Sequence, residues 1–241
     1  MGAPARFTHP DNPNAFESRA KLYAAVGGSQ FGDAAVSGPG STKKGNVPLI
    51  QFLVGWLSAH PHVRSMVEAS CGHWPSGWQS SVVWPNNMSY VGADITHVQV
   101  DSNNKFVADR SPAAFGLASA RFIQQDITKD ALPAADVLLT KDTLVHLRNV
   151  EILSFLRVNV LPCPPRFRYV IFVGDPPGKP ISPGENISDL GRGGSHGLDM
   201  SWPPFSLPIK ANFTYKGWHN LPLLVQILDT RETCMHVHMH E

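Results

Sequence analysis

The chain has few cysteines, and they form no recognisable pattern. Its 241 residues include three, Cys71, Cys163 and Cys234. Their spacing matches neither a metal-binding motif nor the disulfide framework of a small secreted domain. A sequence of this kind is typical of a protein kept in a reducing compartment, so we expect free thiols and no disulfide.

The chain also lacks an excess of charge and a long apolar segment. Lys and Arg together number 20 against 19 Asp and Glu, which is not the basic signature of a nucleic-acid-binding protein. No apolar run is long enough to span a membrane, and the first residues are polar rather than signal-like. We therefore expect a soluble, cytoplasmic protein with no nucleic-acid or membrane partner and unused glycosylation sequons at Asn87, Asn186 and Asn212. A small-molecule or glycan partner is favoured.

What the chain does contain is enough apolar sequence for one core. Hydrophobic residues make up 42% of it, and no internal repeat or second domain is evident. We divide it into a polar lead-in over 1–45 and a single domain over 46–241. The turn-rich segment 36–42 could cover a bound cofactor. The Gly-, Pro- and Ser-rich segment 174–208 has no periodicity and is expected to be a lid or a disordered loop.

Helical and extended patterns alternate along the domain. Helical spacing predicts helices over 48–59, 97–108 and 150–160, besides a short one over 16–25. Short apolar runs predict strands over 63–69, 89–95, 120–125, 136–140 and 168–174, and closing strands over 205–215, 221–228 and 234–240. This alternation predicts an α/β fold with a mostly parallel sheet, helices on both faces and antiparallel pairing at the C-terminal end.

The ends of the first two predicted strands carry candidate ligand-binding residues. Glu68 ends the first strand, and Cys71 and Gly72 begin a connection that we expect to lead into a helix. Gly72 would let the main chain approach a ligand closely, while Glu68 would hold a cationic amine directly or through water. Asp94 ends the second strand in a Gly-x-Asp pattern, where nucleotide-binding sheets place the acid that binds ribose. The alternatives are an ordinary strand-to-helix turn and a helix-capping aspartate.

The end of the third predicted strand supplies a candidate site for a base. Asp126 would face the amino group of an adenine, and Ile95 and Ile127 would be apolar neighbours of the ring. The alternative for Asp126 is a turn or N-cap residue.

The end of the fourth predicted strand supplies candidate catalytic residues. Lys141 ends the strand and is assigned to the cofactor site. Asp142 and His146 are four positions apart, so on a helical turn they share one face. His146 would act as a general base toward a hydroxyl, because the pKa of imidazole lies near neutrality, and Asp142 would orient that base or the acceptor. The alternative for His146 is a packed, hydrogen-bonded histidine.

The most specific motif is Asp-Val-Leu-Leu-Thr-Lys-Asp-Thr-Leu-Val-His-Leu over 136–147. The accompanying motifs are Ser37–Ser41, Cys71–Gly72, Gly92–Asp94, Gln125–Thr128, Leu132–Pro133 and Pro203–Pro208. In this combination, from about residue 16 onward, the chain resembles class I S-adenosylmethionine-dependent methyltransferases. The resemblance is strongest to a poorly characterised, mostly bacterial group that is sometimes fused to glycosyltransferases.

The resemblance implies a Rossmann-like, seven-stranded sheet, S-adenosyl-L-methionine as the cofactor, and cofactor contacts from Glu68, Gly72, Asp94 and Asp126. Two features depart from the group's pattern. His73 stands where the group has an acid, and the following segment 74–79 is longer. Both departures lie where the methionine end of the cofactor would rest.

Two further clusters have competing interpretations. Trp74, Trp78 and Trp84 could stack on an acceptor, but core packing is the favoured reading. His236, His238 and His240 would share one side of a strand, and His-x-His can ligate zinc. No neighbouring carboxylate or cysteine completes such a set, so we expect a solvated outer face and no metal site.

The leading functional prediction is methyl transfer from S-adenosylmethionine to an oxygen, less readily a nitrogen, of a small molecule or glycan. The alternative is a non-catalytic relative, either cofactor-binding or wholly degenerate, that serves as an interaction module. A nicotinamide-dependent reductase is the least favoured, because the first turn lacks the Gly-x-Gly-x-x-Gly series that carries a pyrophosphate.

Overall fold

The computed structural model describes residues 39–178, 186, 195–217 and 220–238. The predicted helix over 16–25, most of the 1–45 lead-in and part of the 174–208 segment lie outside these residues.

Within the described residues, seven strands form one sheet in the order β3-β2-β1-β4-β5-β7-β6. They are β1 (Ser65–Ala69), β2 (Ser89–Asp94), β3 (Ser119–Gln124), β4 (Ala135–Lys141), β5 (Phe167–Gly174), β6 (Ala211–Lys216) and β7 (Pro222–Asp229). β1 to β5 run parallel, whereas β7 runs antiparallel to β5 and to β6. The predicted Rossmann-like, mostly parallel sheet with an antiparallel last strand is confirmed.

Helices cover both faces of this sheet. The α-helices are α1 (Val47–Ala59), α2 (His97–Arg110), α3 (Asn149–Phe155), continued by a π-helical turn over Leu156–Val160, and α4 (Thr230–His238). Leu49, Leu53 and Leu57 recur every fourth residue on α1, so they form one apolar stripe, which packs on one face beside α2. Ile152 and Phe155 of α3 pack in a separate core on the other face.

The strand directions bring six carboxyl ends to one edge of the sheet. β6 is antiparallel to β7, which is itself antiparallel to β5, so β6 ends at the same edge as β1 to β5. In open α/β sheets, ligands bind in the crevice outside these carboxyl ends. Each residue predicted for the site ends a strand at this edge or follows one.

The connection after β1 differs from the prediction. Between Ala69 and Ser89 the chain forms two short 3₁₀ turns, Trp78–Ser81 and Pro85–Asn87, and no α-helix. The side chains of Trp74, Trp78 and Trp84 are buried on the α1 and α2 face, where they pack with the sheet. These indole rings bury the apolar surface that a helix would otherwise cover there, and the favoured core reading of the tryptophans is confirmed.

The predicted strand over 234–240 is wrong, because Thr230–His238 is helical. Strand β7 already contains the apolar run that precedes it. Thr230 is fully buried, and its hydroxyl donates hydrogen bonds to the carbonyl oxygens of Phe167 and Arg168 at the start of β5. These contacts turn the chain out of the sheet, and the alternation of histidines does not reflect a strand.

The prediction of free thiols is also wrong for two cysteines. Cys163 and Cys234 form a disulfide across a sequence separation of 71 residues, and Cys71 is free and buried. The bond joins the loop before β5 to α4, a proximity that the cysteine spacing does not encode. Among the described residues, no helix is both long and apolar enough to cross a membrane.

Candidate functional site

Glu68, Asp94 and Lys141 lie on one side of the sheet at the carboxyl edge. Glu68 pairs with Gly92 on β2 and with Leu139 on β4, so the residues two positions further on, Asp94 and Lys141, share its face. The charges of Lys141 and Asp94 both act on Glu68. The structure therefore brings together three of the residues predicted to hold a cofactor.

Asp94 connects the first two strand ends. Its Oδ2 accepts the Gly72 N–H at 3.0 Å and its Oδ1 accepts the Thr96 N–H at 3.0 Å. Burial raises the pKa of the Asp94 carboxyl, and the hydrogen bonds from Thr96 and Gly72 oppose that rise. A carboxylate has about four acceptor sites. The Thr96 hydroxyl and the Ile95 N–H also bond to this carboxylate, so its contact with a ribose stays a prediction.

The first turn depends on two glycines. Gly72 has φ of 61°, a conformation that favours glycine, and the Cys71 N–H is bonded to the Ala93 carbonyl oxygen at 2.9 Å. A Cβ on Gly92 would lie 2.8 Å from the Cys71 Sγ and 2.5 Å from the Phe122 ring. Any larger residue at position 92 would displace Cys71, so the glycine keeps the turn close to β2.

Glu68 faces the core rather than open space. Its carboxyl group accepts hydrogen bonds from Gln79 Nε2 at 2.8 Å and from the Tyr90 hydroxyl, which in turn accepts the Trp74 Nε1–H at 3.1 Å. The side chain is 1% exposed, and this burial raises the pKa of Glu68 to about 7. Its predicted contact with a cofactor amine stays a prediction.

His73, the departure from the family pattern, has contacts of its own. Its Nδ1 lies 2.8 Å from the Ser76 Oγ and its Nε2 lies 3.2 Å from the Ser102 Oγ on α2. Partial burial lowers the pKa of the imidazole. The ring therefore links the turn after β1 to α2, which a shorter acidic side chain would not reach in the same way.

Asp126, among the residues predicted for the base pocket, bonds to its own neighbours in the sequence. Asp126 accepts hydrogen bonds from the N–H and hydroxyl of Thr128, at 3.1 and 2.7 Å, and forms an ion pair with Lys129 at 2.9 Å. Burial acts to raise the pKa of Asp126, but the bonds to Lys129 and Thr128 outweigh it and hold that pKa below its usual range. Ile127 is buried in the α3-side core, and Ile95 is half-buried after β2. The adenine contacts of all three stay predictions.

Lys141 and Asp142 join the edge of the sheet to the described end of the lead-in. The buried Lys141 ammonium pairs with the Asp142 carboxylate and donates to the Gly40 carbonyl oxygen at 3.2 Å. Asn46 donates to the same oxygen at 2.7 Å. Gly40 therefore lies against the end of β4, and the role of the lead-in as a cover for a bound cofactor stays a prediction.

His146 ends the short 3₁₀ turn Leu144–His146 and is exposed at the same rim. Asp175, the first residue after β5, lies close enough to Asp142, His146 and Lys141 for their charges to act on it. Burial raises the pKa of the Asp175 carboxyl, and the charge of Asp142 adds to that rise. Asp142 has φ of 53° and precedes the 3₁₀ turn, so the prediction that Asp142 and His146 share one face of a helical turn is wrong, although the charges of both act on Asp175.

Sequence reasoning missed Asp175 and Tyr215. Asp175 obeys the same rule as Asp94, since it follows an apolar strand, but it was assigned to the Gly-rich loop. Tyr215 lies on β6, its buried hydroxyl has no hydrogen-bond partner among the residues that the structure describes, and both burial and Asp142 raise its pKa. Nothing in the sequence indicates that β6 ends at the same edge of the sheet as β5. Within the described residues, no group of three or more His, Cys, Asp or Glu side chains could hold a metal ion.

No protein-family profile matches the chain, and no curated protein matches its sequence. Solved structures do match its fold. An O-methyltransferase from the trans-AT PKS multienzyme of Brevibacillus brevis, in complex with S-adenosyl-L-homocysteine, matches with a TM-score of 0.54 and 15% identity over 82% of this chain and 84% of that one.

Two further solved structures are similar. The methyltransferase domain of bacterial CtHen1 has a TM-score of 0.52 and 11% identity, covering 76% of this chain and 98% of that one. Magnesium protoporphyrin IX methyltransferase from Synechocystis PCC 6803, with bound S-adenosyl-L-homocysteine, has a TM-score of 0.50 and 13% identity over 76% and 82%. The chain therefore has the fold of class I S-adenosylmethionine-dependent methyltransferases.

Proposed function

We propose that this protein is an S-adenosylmethionine-dependent methyltransferase. The observation that carries the proposal is the Asp94 carboxylate at the carboxyl edge, bonded to the Gly72 N–H of the turn after β1, where nucleotide-binding sheets place the acid that binds ribose. Two proteins of the same fold were crystallised with S-adenosyl-L-homocysteine. The fold and the strand-end carboxylate thus support the same cofactor.

The cofactor residues divide by the part of the molecule that they would bind. Asp94 would bind the ribose. The main chain of the Cys71–Gly72 turn would contact the methionine end, because Gly72 has no side chain to obstruct it. Glu68 would act on the cationic amine of the cofactor through its charge. Asp126, Ile95 and Ile127 would contact the adenine. Lys141 would hold the segment that covers the cofactor, through its hydrogen bond to the Gly40 carbonyl oxygen.

The acceptor would bind at the rim formed by Asp142, His146 and Asp175. S-adenosylmethionine supplies a methyl group on a sulfonium when bound. His146 takes the proton of an acceptor hydroxyl, and Asp142 and Asp175 orient the imidazole or the acceptor. Two carboxylates against one buried ammonium disfavour an anionic acceptor. This charge favours a neutral acceptor, such as a hydroxyl of a small molecule or a glycan, over an anionic one.

A screen with a labelled methyl donor against cell extracts tests the activity and the acceptor class together. Label transferred to a small molecule or glycan supports the proposal. Label transferred only to nucleic acid would contradict the acceptor class, and no transfer by a protein that binds the cofactor would favour the second candidate.

The second candidate is a non-catalytic, methyltransferase-like interaction module. It is favoured by the first turn, which leads into tryptophan-rich 3₁₀ turns instead of a helix and carries His73. Calorimetry with S-adenosylmethionine and S-adenosyl-L-homocysteine identifies a wholly degenerate module, which would bind neither ligand. A non-catalytic module that keeps the cofactor would bind both and transfer no label in the screen.

The compartment is also open to test. The near-neutral charge supports the predicted lack of a nucleic-acid partner, and the few, unpatterned cysteines predict a cytoplasmic protein. The Cys163–Cys234 disulfide favours an oxidising compartment instead. A fluorescent fusion of the full chain in its own cells would decide between the two locations.

A further inference from the structure

The turn after β1 is held from α2 by one fully buried side chain, that of Asn103. Asn103 is 0% exposed. Its Oδ1 accepts the Trp74 N–H at 2.8 Å, and its Nδ2 donates to the Gly72 carbonyl oxygen at 2.7 Å. The same Nδ2 lies 3.8 Å from the Cys71 Sγ. One amide group thus contacts three of the residues that form the turn.

These hydrogen bonds supply partners that the backbone of the turn would otherwise lack. A buried backbone N–H or carbonyl group without a partner is costly, and a helix following β1 would normally supply such partners. Here the chain continues into 3₁₀ turns instead. Asp94 takes the Gly72 N–H, Ala93 takes the Cys71 N–H, and Asn103 takes the Gly72 carbonyl and the Trp74 N–H. The turn is therefore fixed between β2 and α2.

Ser102, the residue before Asn103 on α2, also contacts the turn. The Ser102 Oγ lies 3.2 Å from the Nε2 of His73, so two consecutive residues of α2 hold consecutive parts of the turn. Of the two, Asn103 bonds to the backbone of the turn in both directions, because its amide group donates one hydrogen bond and accepts another.

We propose that Asn103 is a positioning residue for the cofactor. It holds Gly72 in its left-handed conformation, with the main chain of the turn exposed to the methionine end of S-adenosylmethionine. This inference rests on the proposed function, since it assumes that the cofactor lies over the Cys71–Gly72 turn. It adds a residue on a helix that neither the sequence motifs nor the strand-end rule identifies.

The test compares Asn103→Asp with Asn104→Asp. Asn104 is the next residue of α2, and its amide also pairs with backbone, accepting the Phe122 N–H at 2.9 Å and donating to the Phe122 carbonyl oxygen at 3.0 Å. That pair joins α2 to the backbone of β3 rather than to the turn, although the Phe122 ring meets the Trp74 ring edge-on at 5.3 Å. Both substitutions keep the size of the side chain and remove its N–H donor. They differ in which segment they release and in burial, because Asn103 is buried and Asn104 is exposed, so the stability of each variant is measured as well.

Calorimetric titration with S-adenosyl-L-homocysteine, corrected for the folded fraction measured by urea unfolding, gives the result. We expect Asn103→Asp to bind about tenfold more weakly than the wild-type protein, as the loss of a buried hydrogen bond implies, and Asn104→Asp to bind with wild-type affinity. Wild-type affinity in folded Asn103→Asp would overturn the inference. Failure of the wild-type protein to bind the ligand would overturn the proposed function instead.

A measurement on the wild-type protein covers the case in which Asn103→Asp does not fold. Hydrogen exchange of the Trp74 amide should be slow in the ligand-free protein and unchanged by S-adenosyl-L-homocysteine, because Asn103 already holds it. A Trp74 amide that exchanges freely and becomes protected only when the ligand binds would contradict a preformed turn.

Discussion

The Asp94 carboxylate accepts the Gly72 N–H at 3.0 Å, so a side chain of the second strand fixes the turn that follows the first. The contact places a negative charge and a glycine turn side by side at the edge where parallel strands end. A nucleoside with a charged amino-acid tail needs both features within one molecule's length. This contact therefore supports the proposed cofactor more than either residue does alone.

Replacing Asp94 tests this relationship directly. Asp94→Ala should weaken binding of S-adenosyl-L-homocysteine by at least tenfold, because each charge-assisted hydrogen bond to a ribose hydroxyl contributes about 1.5–3 kcal/mol. Calorimetry gives the affinity. Asp136→Asn is the matched control, because that carboxylate accepts the N–H groups of Arg64 and Ser65 at the opposite edge. Unchanged binding by folded Asp94→Ala would mean that Asp94 does not hold the ribose.

Glu68 should make the stability of the protein depend on pH. The folded protein keeps a proton on Glu68 up to its raised pKa of about 7, whereas the unfolded chain releases it near the ordinary value of about 4.3. Between these values folding takes up a proton, so the free energy of unfolding falls as the pH rises and then levels off above 7. The total loss is on the order of 3 kcal/mol.

Urea unfolding of the wild-type protein and Glu68→Gln at pH 5 and pH 7.5 measures this effect. The wild-type protein should lose stability relative to the variant over this interval, since the variant has no proton to release. Glu151→Gln, in a surface ion pair with Arg148, is the control and should leave the difference in place. Parallel pH profiles for wild type and Glu68→Gln would rule out a raised pKa at Glu68.

The strand ends were predictable because they follow local rules. An apolar run that ends in a polar residue identifies Asp94 and Lys141 without any knowledge of the sheet, and both end strands in the structure. Asp175 satisfies the same rule. It was missed because the Gly- and Pro-rich sequence after it dominated the interpretation.

Contacts between distant segments were not predictable in this way. Asn103 sits in a polar stretch of α2 that resembles a solvated helix face, and only the fold brings it under the turn. The tryptophans after β1 are apolar enough to suit either a helix or a loop, so their composition does not predict which of the two structures forms there. The pairing of Cys163 with Cys234 depends on α4 packing beside β5, which the cysteine spacing does not contain.

His146 should affect turnover far more than cofactor binding. A general base contributes about 10²–10⁴-fold to a rate, so His146→Ala should lower methyl transfer to a hydroxyl by that factor while leaving the affinity for S-adenosyl-L-homocysteine unchanged. Label transfer to the acceptor found by screening gives the rate. His62→Ala, an exposed histidine before β1 at the opposite edge, is the control. Equal turnover in His146→Ala and wild type would remove His146 as the base.

The disulfide gives a prediction that needs no substrate. Unfolding the protein without reductant should expose one reactive thiol, that of Cys71, and reduction should raise the count to three. Because the bond closes a long loop, Cys234→Ser should lower the free energy of unfolding by about 2–4 kcal/mol. Cys71→Ser should leave the bond intact and reduce the unreduced count to zero. Three reactive thiols before reduction would show that the purified protein does not hold the bond, and the expectation of a reducing compartment would then regain its support.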